Sequence, residues 1–180
     1  MHHKILFTGP VGAGKTTAIA AISDTTPVAT EARARDRTRL LKPHTTVAMD
    51  YGVMELEGGE KVHLYGTPGQ PRFDFMWEIL AEGGLGIVLL IDNSAPDAMY
   101  RLRQFLRVFA EVIERTRLVV GVTKMDLAPQ PTLADYLRRL SSAGIRAPVL
   151  EADARSPRDV ALLVEALLYC IDPGIGGADP

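Results

Sequence analysis

The sequence predicts an α/β fold with a six-stranded, mostly parallel sheet, one antiparallel edge strand and helices on both faces. Two continuous apolar runs of strand length, residues 85–91 and 118–122, have the pattern of parallel strands that are buried on both faces. Segments with helical spacing alternate with the strands, an order typical of a parallel sheet. A glycine pair between residues 47–57 and 61–65 indicates a hairpin, which supplies the antiparallel strand.

The other elements follow from local patterns. Residues 4–8 form a short apolar run that ends in a glycine loop and predict the first strand, and a helix rich in alanine and isoleucine follows at residues 16–23. Residues 149–152 predict the last strand. Residues 24–45 are polar, basic and marked by prolines, so they predict a long loop, with or without a helical turn. Loops of this length in compact domains are usually functional.

Three later helices have start signals in which a hydroxyl side chain precedes an aspartate by three residues. Such a pair can satisfy the free N–H groups of the first helical turn, as in a capping box. The pairs are Ser94 with Asp97, Thr132 with Asp135, and Ser156 with Asp159. The first of these helices is predicted to extend through five apolar residues at helical spacing. They are Leu102, Phe105, Leu106, Phe109 and Ile113.

Length and composition indicate one domain of ordinary size. The chain has 180 residues, of which 47% are hydrophobic. We expect a domain at residues 1–171 and a flexible tail, rich in glycine and proline, at residues 172–180. A net charge of −2 gives no general attraction to nucleic acid or to an anionic membrane. The single cysteine, Cys170, excludes an intramolecular disulfide and favours a reducing compartment.

The sequence shows no means of attaching itself to a membrane. No apolar run has the roughly 20 residues that a membrane-spanning helix needs. His2 excludes N-myristoylation, and the last four residues contain no cysteine for prenylation. We therefore expect a cytoplasmic protein, a monomer or weak dimer, with no direct membrane anchor and no nucleic-acid partner.

A glycine-rich loop between the first strand and the first helix carries the strongest functional signal. Residues 9–16 fit the pattern G-x-x-x-x-G-K-[ST] in the strand–loop–helix context of a phosphate-binding loop. Gly12 and Gly14 let several backbone N–H groups point at a phosphate, and Lys15 adds a full positive charge. The Thr16 hydroxyl is placed to bind Mg²⁺. The candidate phosphate-binding residues are Gly9, Val11, Gly12, Ala13, Gly14, Lys15, Thr16 and Thr17.

The phosphate loop alone does not distinguish ATP from GTP. A second motif predicts which base is bound. Thr123, Lys124 and Asp126 fit the pattern [NT]-K-x-D at the end of a buried strand. The Asp126 carboxylate can accept hydrogen bonds from N1–H and the amino group of guanine, a pairing that adenine cannot make. The Lys124 stem can cover the base. The next strand ends at Asp153, Ala154 and Arg155, where a backbone N–H can reach the guanine oxygen.

With these two motifs, residues 3–171 resemble the Ras-like small GTPases, and most closely the bacterial branch that includes the polarity regulator MglA. The resemblance implies the Ras-like form of the P-loop NTPase fold, with GTP or GDP and Mg²⁺ as cofactors. Residues 46–51 are similar to switch I, so Thr46 is the implied second Mg²⁺ ligand. Residues 66–73 resemble switch II, in which Gly69 would donate its N–H to the γ-phosphate and Gln70 would orient the attacking water. The implied catalytic residues are Gln70, Lys15, Thr46 and Gly69.

Two positions depart from the family pattern. Switch II of the family begins with an aspartate that holds a magnesium water, and this chain has Gly66 there. Asp50, one strand over, can reach the same water, or it is an ordinary carboxylate of an edge strand. Val11 stands where Ras-like enzymes often have glycine. Its side chain either crowds Gln70 and slows GTP hydrolysis, or is accommodated by the loop.

The resemblance implies a GTP/GDP switch with a roadblock-type regulator and effectors that contact switch I and switch II. Val11 leads us to expect that this switch hydrolyses GTP slowly. A scaffold that binds GTP without hydrolysing it is the alternative, and an ATPase or kinase is a third class. The arginine-rich residues 31–42 have three possible roles. They form a solvated loop, they supply Arg37 or Arg39 as an arginine finger, or they bind nucleic acid. The apolar residues 73–80 belong to the core or form a partner surface.

Overall fold

The computed structural model describes residues 3–26, 50–56, 59–67 and 85–171, together with the backbone of residues 28–29. The strands are β1 His3–Thr8, β2 Val28–Ala29, β3 Asp50–Glu55, β4 Lys61–Gly66, β5 Gly86–Asp92, β6 Leu118–Thr123 and β7 Val149–Glu151. The helices are α1 Lys15–Ile22, α2 Ala98–Val108, α3 Ala110–Arg115, α4 Leu133–Ser142 and α5 Pro157–Ile171. Within these ranges no helix is long and apolar enough to span a bilayer.

The strands form one sheet in the order β2-β3-β4-β1-β5-β6-β7. β3 runs antiparallel to both of its neighbours, and the other pairs are parallel. The predicted α/β fold and the hairpin are therefore confirmed, with the hairpin closed by Glu55 opposite Lys61. The predicted number of strands was too low by one, because β2 lies in the segment predicted as a loop. β2 pairs only two residues with β3, too few to leave a periodic pattern in the sequence.

Helices cover both faces of the sheet and create two apolar cores. α2 and α4 contribute Leu102, Phe105 and Leu140 to one core, together with Leu89 from β5. α1 and α5 enclose the other core, which receives Leu90 from the same strand. β5 and β6 are buried along almost their whole length, as their continuous apolar runs predict. Because these strands are parallel, their carboxyl ends lie at one edge of the sheet. Both sequence motifs begin at that edge.

The three predicted helix starts have different outcomes. The capping box of Thr132 and Asp135 is confirmed, with hydrogen bonds in both directions. The Asp159 N–H bonds to Ser156 Oγ, but the Asp159 carboxylate accepts the N–H of Asp153 instead of returning to the cap. The box beginning at Ser94 is wrong.

Two features explain the error in the first of these helices. The Ser94 hydroxyl and N–H both bond to Asp92, and α2 begins only at Ala98 without a side-chain cap. The single helix predicted there is also divided, because Phe109 leaves the helical conformation between α2 and α3. Phe109 remains buried at the break, and Ile113 packs against the same core.

Candidate functional site

The loop between β1 and α1 has the conformation that phosphate binding requires. Gly9, Gly12 and Gly14 have φ angles of 142°, 83° and 99°, a region that residues with a side chain rarely enter. α1 starts from Gly14 without a side-chain cap and without an acidic residue in its first turn. The N–H groups and partial positive charge of this helix end are therefore available to an anion.

Gly9→Ala is expected to destabilise the folded protein by about 3 kcal/mol, because a Cβ at this position would lie 2.1 Å from the carbonyl oxygen of Leu90 and φ is already unfavourable. Urea unfolding measures the change. Gly144→Ala is the matched control, since Gly144 has φ 75° but nothing within 4 Å of its Cβ. We expect that control to cost only about 1 kcal/mol. Equal costs for the two variants would contradict the close packing of Gly9 on β5.

Lys15 is held inside the loop by backbone oxygens. Its ammonium donates to Gly9 O at 2.7 Å and to Pro10 O at 2.8 Å, and the residue is only 8% exposed. Burial lowers the pKa of Lys15 to about 8, although the nearby Asp50 carboxylate acts in the opposite direction. An ammonium that is desolvated in this way gains strongly from a phosphate placed beside it.

Nucleotide binding is expected to take up a proton at a pH slightly above 8. The free protein there has a Lys15 amine that is more than half neutral, because its pKa is about 8. A bound phosphate raises that pKa, so the complex holds the proton, and affinity falls as pH rises further. Titration calorimetry in two buffers of different ionisation enthalpy measures the uptake. At pH 7 Lys15 is already protonated, so its contribution to proton uptake should vanish. Equal proton uptake at both pH values would contradict the assignment of this proton to Lys15.

Thr16, Asp50 and Gly66 meet beside the phosphate loop. The Thr16 hydroxyl donates to Asp50 Oδ2 at 2.6 Å, and Asp50 lies directly opposite Gly66 across the β3–β4 pair. A Cβ on Gly66 would be 2.9 Å from the Asp50 Cβ and 3.0 Å from its Oδ2. The Asp50 side chain thus occupies the space that a side chain at position 66 would need.

These oxygens fit Mg²⁺. Hydroxyl and carboxylate oxygens are the ligands that this ion prefers, and it is usually bound through one or two carboxylates plus substrate phosphates. The described residues contain no group of three or more His, Cys, Asp or Glu that could hold a metal alone.

The predicted base motif is tied directly to the phosphate loop. Thr123 Oγ1 lies 3.2 Å from Ala13 O and is buried at the end of β6. Lys124 has a positive φ of 59°, and its ammonium donates to Gly12 O at 3.1 Å. The two motifs, separated by more than a hundred residues, therefore form a single site.

Asp92 anchors the Lys124 side chain at the same place. Its Oδ2 accepts from Lys124 Nζ at 2.5 Å, and its Oδ1 accepts from the N–H and hydroxyl of Ser94. Burial acts to raise the pKa of Asp92, but the hydrogen bonds from Lys124 and Ser94 outweigh it and the pKa lies below its usual value. Asp92 therefore stays ionised, and Lys124 is held across the loop.

A cleft of about 790 Å³ opens between the phosphate loop, the segment after β6 and the segment after β7. Its lining contains most of the predicted nucleotide-binding residues. They are Gly12, Ala13, Gly14, Thr17, Thr123, Lys124, Asp126, Asp153, Ala154 and Arg155. Asp126 is exposed in this cleft. The structure thus brings together the residues predicted to bind the base and several of those predicted to bind phosphate.

Asp153 and Arg155 form a closed pair at one wall of the cleft. The Arg155 guanidinium and its own N–H both donate to the Asp153 carboxylate, and these hydrogen bonds lower the pKa of Asp153 to about 2. The N–H groups of Arg155 and Asp153 are engaged by Asp153 Oδ1 and Asp159 Oδ2, so neither of these two is free for a guanine oxygen in this structure. A Cβ added at Gly14 would lie 2.7 Å from the Cβ of the neighbouring Ala154, so only glycine fits here.

Sequence reasoning missed two residues that shape the site, Asp92 and Asn93. The Asn93 amide donates to Ala128 O at 2.6 Å and to Pro131 O at 3.0 Å, while its oxygen accepts from the Tyr136 hydroxyl at 2.7 Å. Burial, with a smaller effect of the Asp92 carboxylate, raises the pKa of Tyr136 to about 12. Asn93 thereby fixes the segment that carries Asp126. A polar pair directly after an apolar strand was the signal for both residues.

Several predicted site residues lie outside the described part of the chain. They are Thr46, Gly69 and Gln70, together with the candidate finger residues Arg37 and Arg39. The same holds for the apolar residues 73–80 and for the tail at residues 172–180. Val11, within the described loop, is 63% exposed.

Comparisons with known proteins support the fold and assign a family. The G domain of the T. maritima FeoB iron transporter superposes with a TM-score of 0.63 at 18% identity, covering 94% of this chain and 98% of that domain. The uncharacterized protein MJ1339 of Methanocaldococcus jannaschii is 41% identical over 49 residues, which are 27% of this chain and 31% of that protein. The matching segment therefore spans less than a third of that relative's length.

A family model described as "conserved hypothetical ATP binding protein" matches residues 28–169. That range is well over half of the chain and includes the base motif, although it begins after the phosphate loop. The chain has the fold of a P-loop G domain and belongs to this family of conserved hypothetical ATP binding proteins.

Proposed function

We propose that this protein is a GTP/GDP molecular switch that hydrolyses GTP slowly with the help of Mg²⁺. The observation that carries the proposal is the bonding of Thr123 and Lys124 to the phosphate loop, through Ala13 O and Gly12 O. Asp126 follows Lys124 by two residues and lines the same cleft as the loop. A carboxylate there complements the N1–H and amino group of guanine, whereas adenine offers it no such pair of donors. We therefore favour guanine over the adenine named in the family description.

The proposed metal ligands are Thr16, Asp50 and Thr46, with Asp50 acting through water. Support for Asp50 comes from its contact with Thr16 and from the space it fills beside Gly66. Mg²⁺, when bound, supplies charge that neutralises the phosphates. The residues of the chain position the nucleotide: Lys15 contributes an ammonium already desolvated, and the first turn of α1 contributes backbone N–H groups.

For hydrolysis we assign Gln70 to orient water and Gly69 to donate its N–H to the γ-phosphate, with Lys15 and Thr46 stabilising the phosphate charge. The resemblance to the Ras-like family supports these roles. Val11 projects from the loop with most of its side chain exposed, so we expect it to crowd the approach of Gln70 and to slow turnover. We further propose that the protein belongs to the MglA-like bacterial branch and is cytoplasmic. Its partners would be a roadblock-type regulator and effectors that contact switch I and switch II.

Single-turnover hydrolysis of GTP by the purified chain, with saturating Mg²⁺, tests this function. We expect slow but measurable release of phosphate that is abolished in Gln70→Leu, while both proteins bind GDP equally well. A roadblock-type regulator would then be recognised by its acceleration of the wild-type rate. Tight GTP binding without hydrolysis, even with such a regulator present, would reject the switch and leave a nucleotide-dependent scaffold.

A further inference from the structure

A second cavity lies away from the nucleotide cleft and is lined by arginines. It has a volume of about 800 Å³ and is bounded by α2, α3, the start of β6 and the turn after α4. Five arginines line it, and we name it the arginine groove. They are Arg103, Arg107, Arg117, Arg139 and Arg146. Among the described residues, the lining contains one carboxylate, that of Glu114, although the chain as a whole has a net charge of −2.

These five guanidinium groups are not neutralised by the described part of the protein, where none of them forms a salt bridge. Arg117 donates only to the backbone oxygens of Cys170 and Thr116, and Arg103 lies over the Tyr100 ring at 5.7 Å. Arg139 Nε is buried and has no hydrogen-bond partner within the described residues. A buried donor without a partner costs free energy, which an incoming acceptor would recover. The groove therefore offers unmatched positive charge together with an unsatisfied donor.

The floor of the groove is apolar. Leu106 and Leu118 are nearly buried at 6% and 5% exposure, and Ile113 and Ile145 are partly buried beside them. An occupant must therefore combine acidic groups for the arginine rim with apolar groups for the floor. Guanidinium groups bind carboxylates through two parallel hydrogen bonds, which gives such recognition its specificity.

We propose that the arginine groove binds an acidic segment of a partner protein, in which glutamate or aspartate alternates with apolar side chains. A flat bilayer surface does not enter a concave groove between two helices and a turn. Nucleic acid is disfavoured because single strands need aromatic side chains for stacking, and Tyr100, the one aromatic lining residue, is covered by Arg103. A protein segment satisfies both the charged rim and the apolar floor.

The partner segment and the nucleotide can be bound together. Leu118, which lines the groove, begins β6, and Thr123, which bonds to the phosphate loop, ends it. At about 3.3 Å per residue the two sites are separated by roughly 15 Å along that strand. The proposal does not depend on which nucleotide the protein binds, or on whether it is hydrolysed.

The test measures binding of the full chain to an array of short fluorescent peptides that combine glutamate and leucine in varied orders, each with a counterpart in which glutamine replaces glutamate. We expect several acidic peptides to bind, their glutamine counterparts to fail, and added salt to weaken binding. The double variant Arg107→Glu/Arg146→Glu should lower affinity about tenfold or more. Both residues are exposed, so the substitutions leave the core intact.

The matched control is Arg115→Glu/Arg158→Glu, which changes the net charge equally at exposed arginines outside the groove. This control should bind the acidic peptides within about twofold of the wild type. If both double variants lost the same affinity for the acidic peptides, net charge alone would explain the effect, and the proposal would be overturned. Failure of every acidic peptide to exceed its glutamine counterpart would also overturn it, as would preferential binding of single-stranded DNA or of phosphatidylserine vesicles through the same arginines.

Discussion

Replacing Asp126 by asparagine is expected to lower the affinity for GTP about a hundredfold or more. One hydrogen bond to guanine is lost, because the asparagine NH2 faces the guanine amino group, and the other is no longer charge-assisted. The same change should create binding of xanthosine triphosphate. Xanthine has an oxygen where guanine has its amino group, and the asparagine amide can donate to that oxygen. Equilibrium competition against a fluorescent GDP analogue gives both affinities on the same protein.

Asp153→Asn is the matched control for the expected loss of GTP binding and gain of xanthosine triphosphate binding. Asp153 lines the same cleft, but its carboxylate is already occupied by Arg155. We expect its loss to change GTP affinity far less and to create no binding of xanthosine triphosphate. A wild-type affinity for GTP in Asp126→Asn would show that this carboxylate does not contact the base.

Moving the carboxylate from position 50 to position 66 is expected to preserve magnesium binding. Each of the two substitutions made alone should impair it. Asp50→Ala removes the carboxylate next to Thr16 and should weaken Mg²⁺ about 10–100-fold in the presence of GDP. Gly66→Asp alone places a side chain within 3.0 Å of the Asp50 carboxylate and should destabilise the fold. The double variant Asp50→Gly/Gly66→Asp removes the contacts with the Asp50 side chain, although the new Cβ still lies 3.0 Å from Ile19 Cδ1. It returns an acid to nearly the same space, so it should recover much of the affinity.

The Mg²⁺ dependence of the GDP release rate measures these affinities, and urea unfolding separates loss of metal from loss of fold. Glu55→Ala is the control, since it removes an exposed acid from the far end of the same strand. Asp50 is an ordinary strand carboxylate with no role in metal binding if its alanine variant keeps the wild-type dependence on Mg²⁺.

Local sequence patterns predicted the elements whose formation is decided locally. The Thr132–Asp135 capping box is an example, because its hydrogen bonds join two residues only three positions apart. The apolar runs of β5 and β6 are another, since burial on both faces leaves a continuous pattern. The phosphate loop was predictable because its conformation requires glycines at fixed spacing.

The prediction at Ser94 failed because two local arrangements compete for the same hydroxyl. An aspartate two residues earlier can bond to the serine side chain and N–H as readily as a helix start can, and residue types alone do not rank these options. The structure selects the turn at Asp92, which leaves this carboxylate in reach of Lys124.

Long-range polar pairs were only partly predictable. Asp92 ends one buried strand and Lys124 directly follows the next, so their meeting could have been inferred once β5 and β6 were taken as parallel neighbours. The role of Asn93 could not be inferred in this way. Its partners come from the Ala128–Pro131 segment and from Tyr136, and their positions depend on how α4 packs against the sheet.

Competition between nucleotides for the wild-type protein tests the central proposal most directly. The protein is loaded with a fluorescent GDP analogue and titrated with excess GTP, GDP or ATP at fixed Mg²⁺. We predict that GTP and GDP displace the analogue while ATP does not, because only guanine presents two donors to Asp126. Displacement by ATP as efficient as that by GTP would contradict a guanine-specific site and would favour the adenine nucleotide named in the family description.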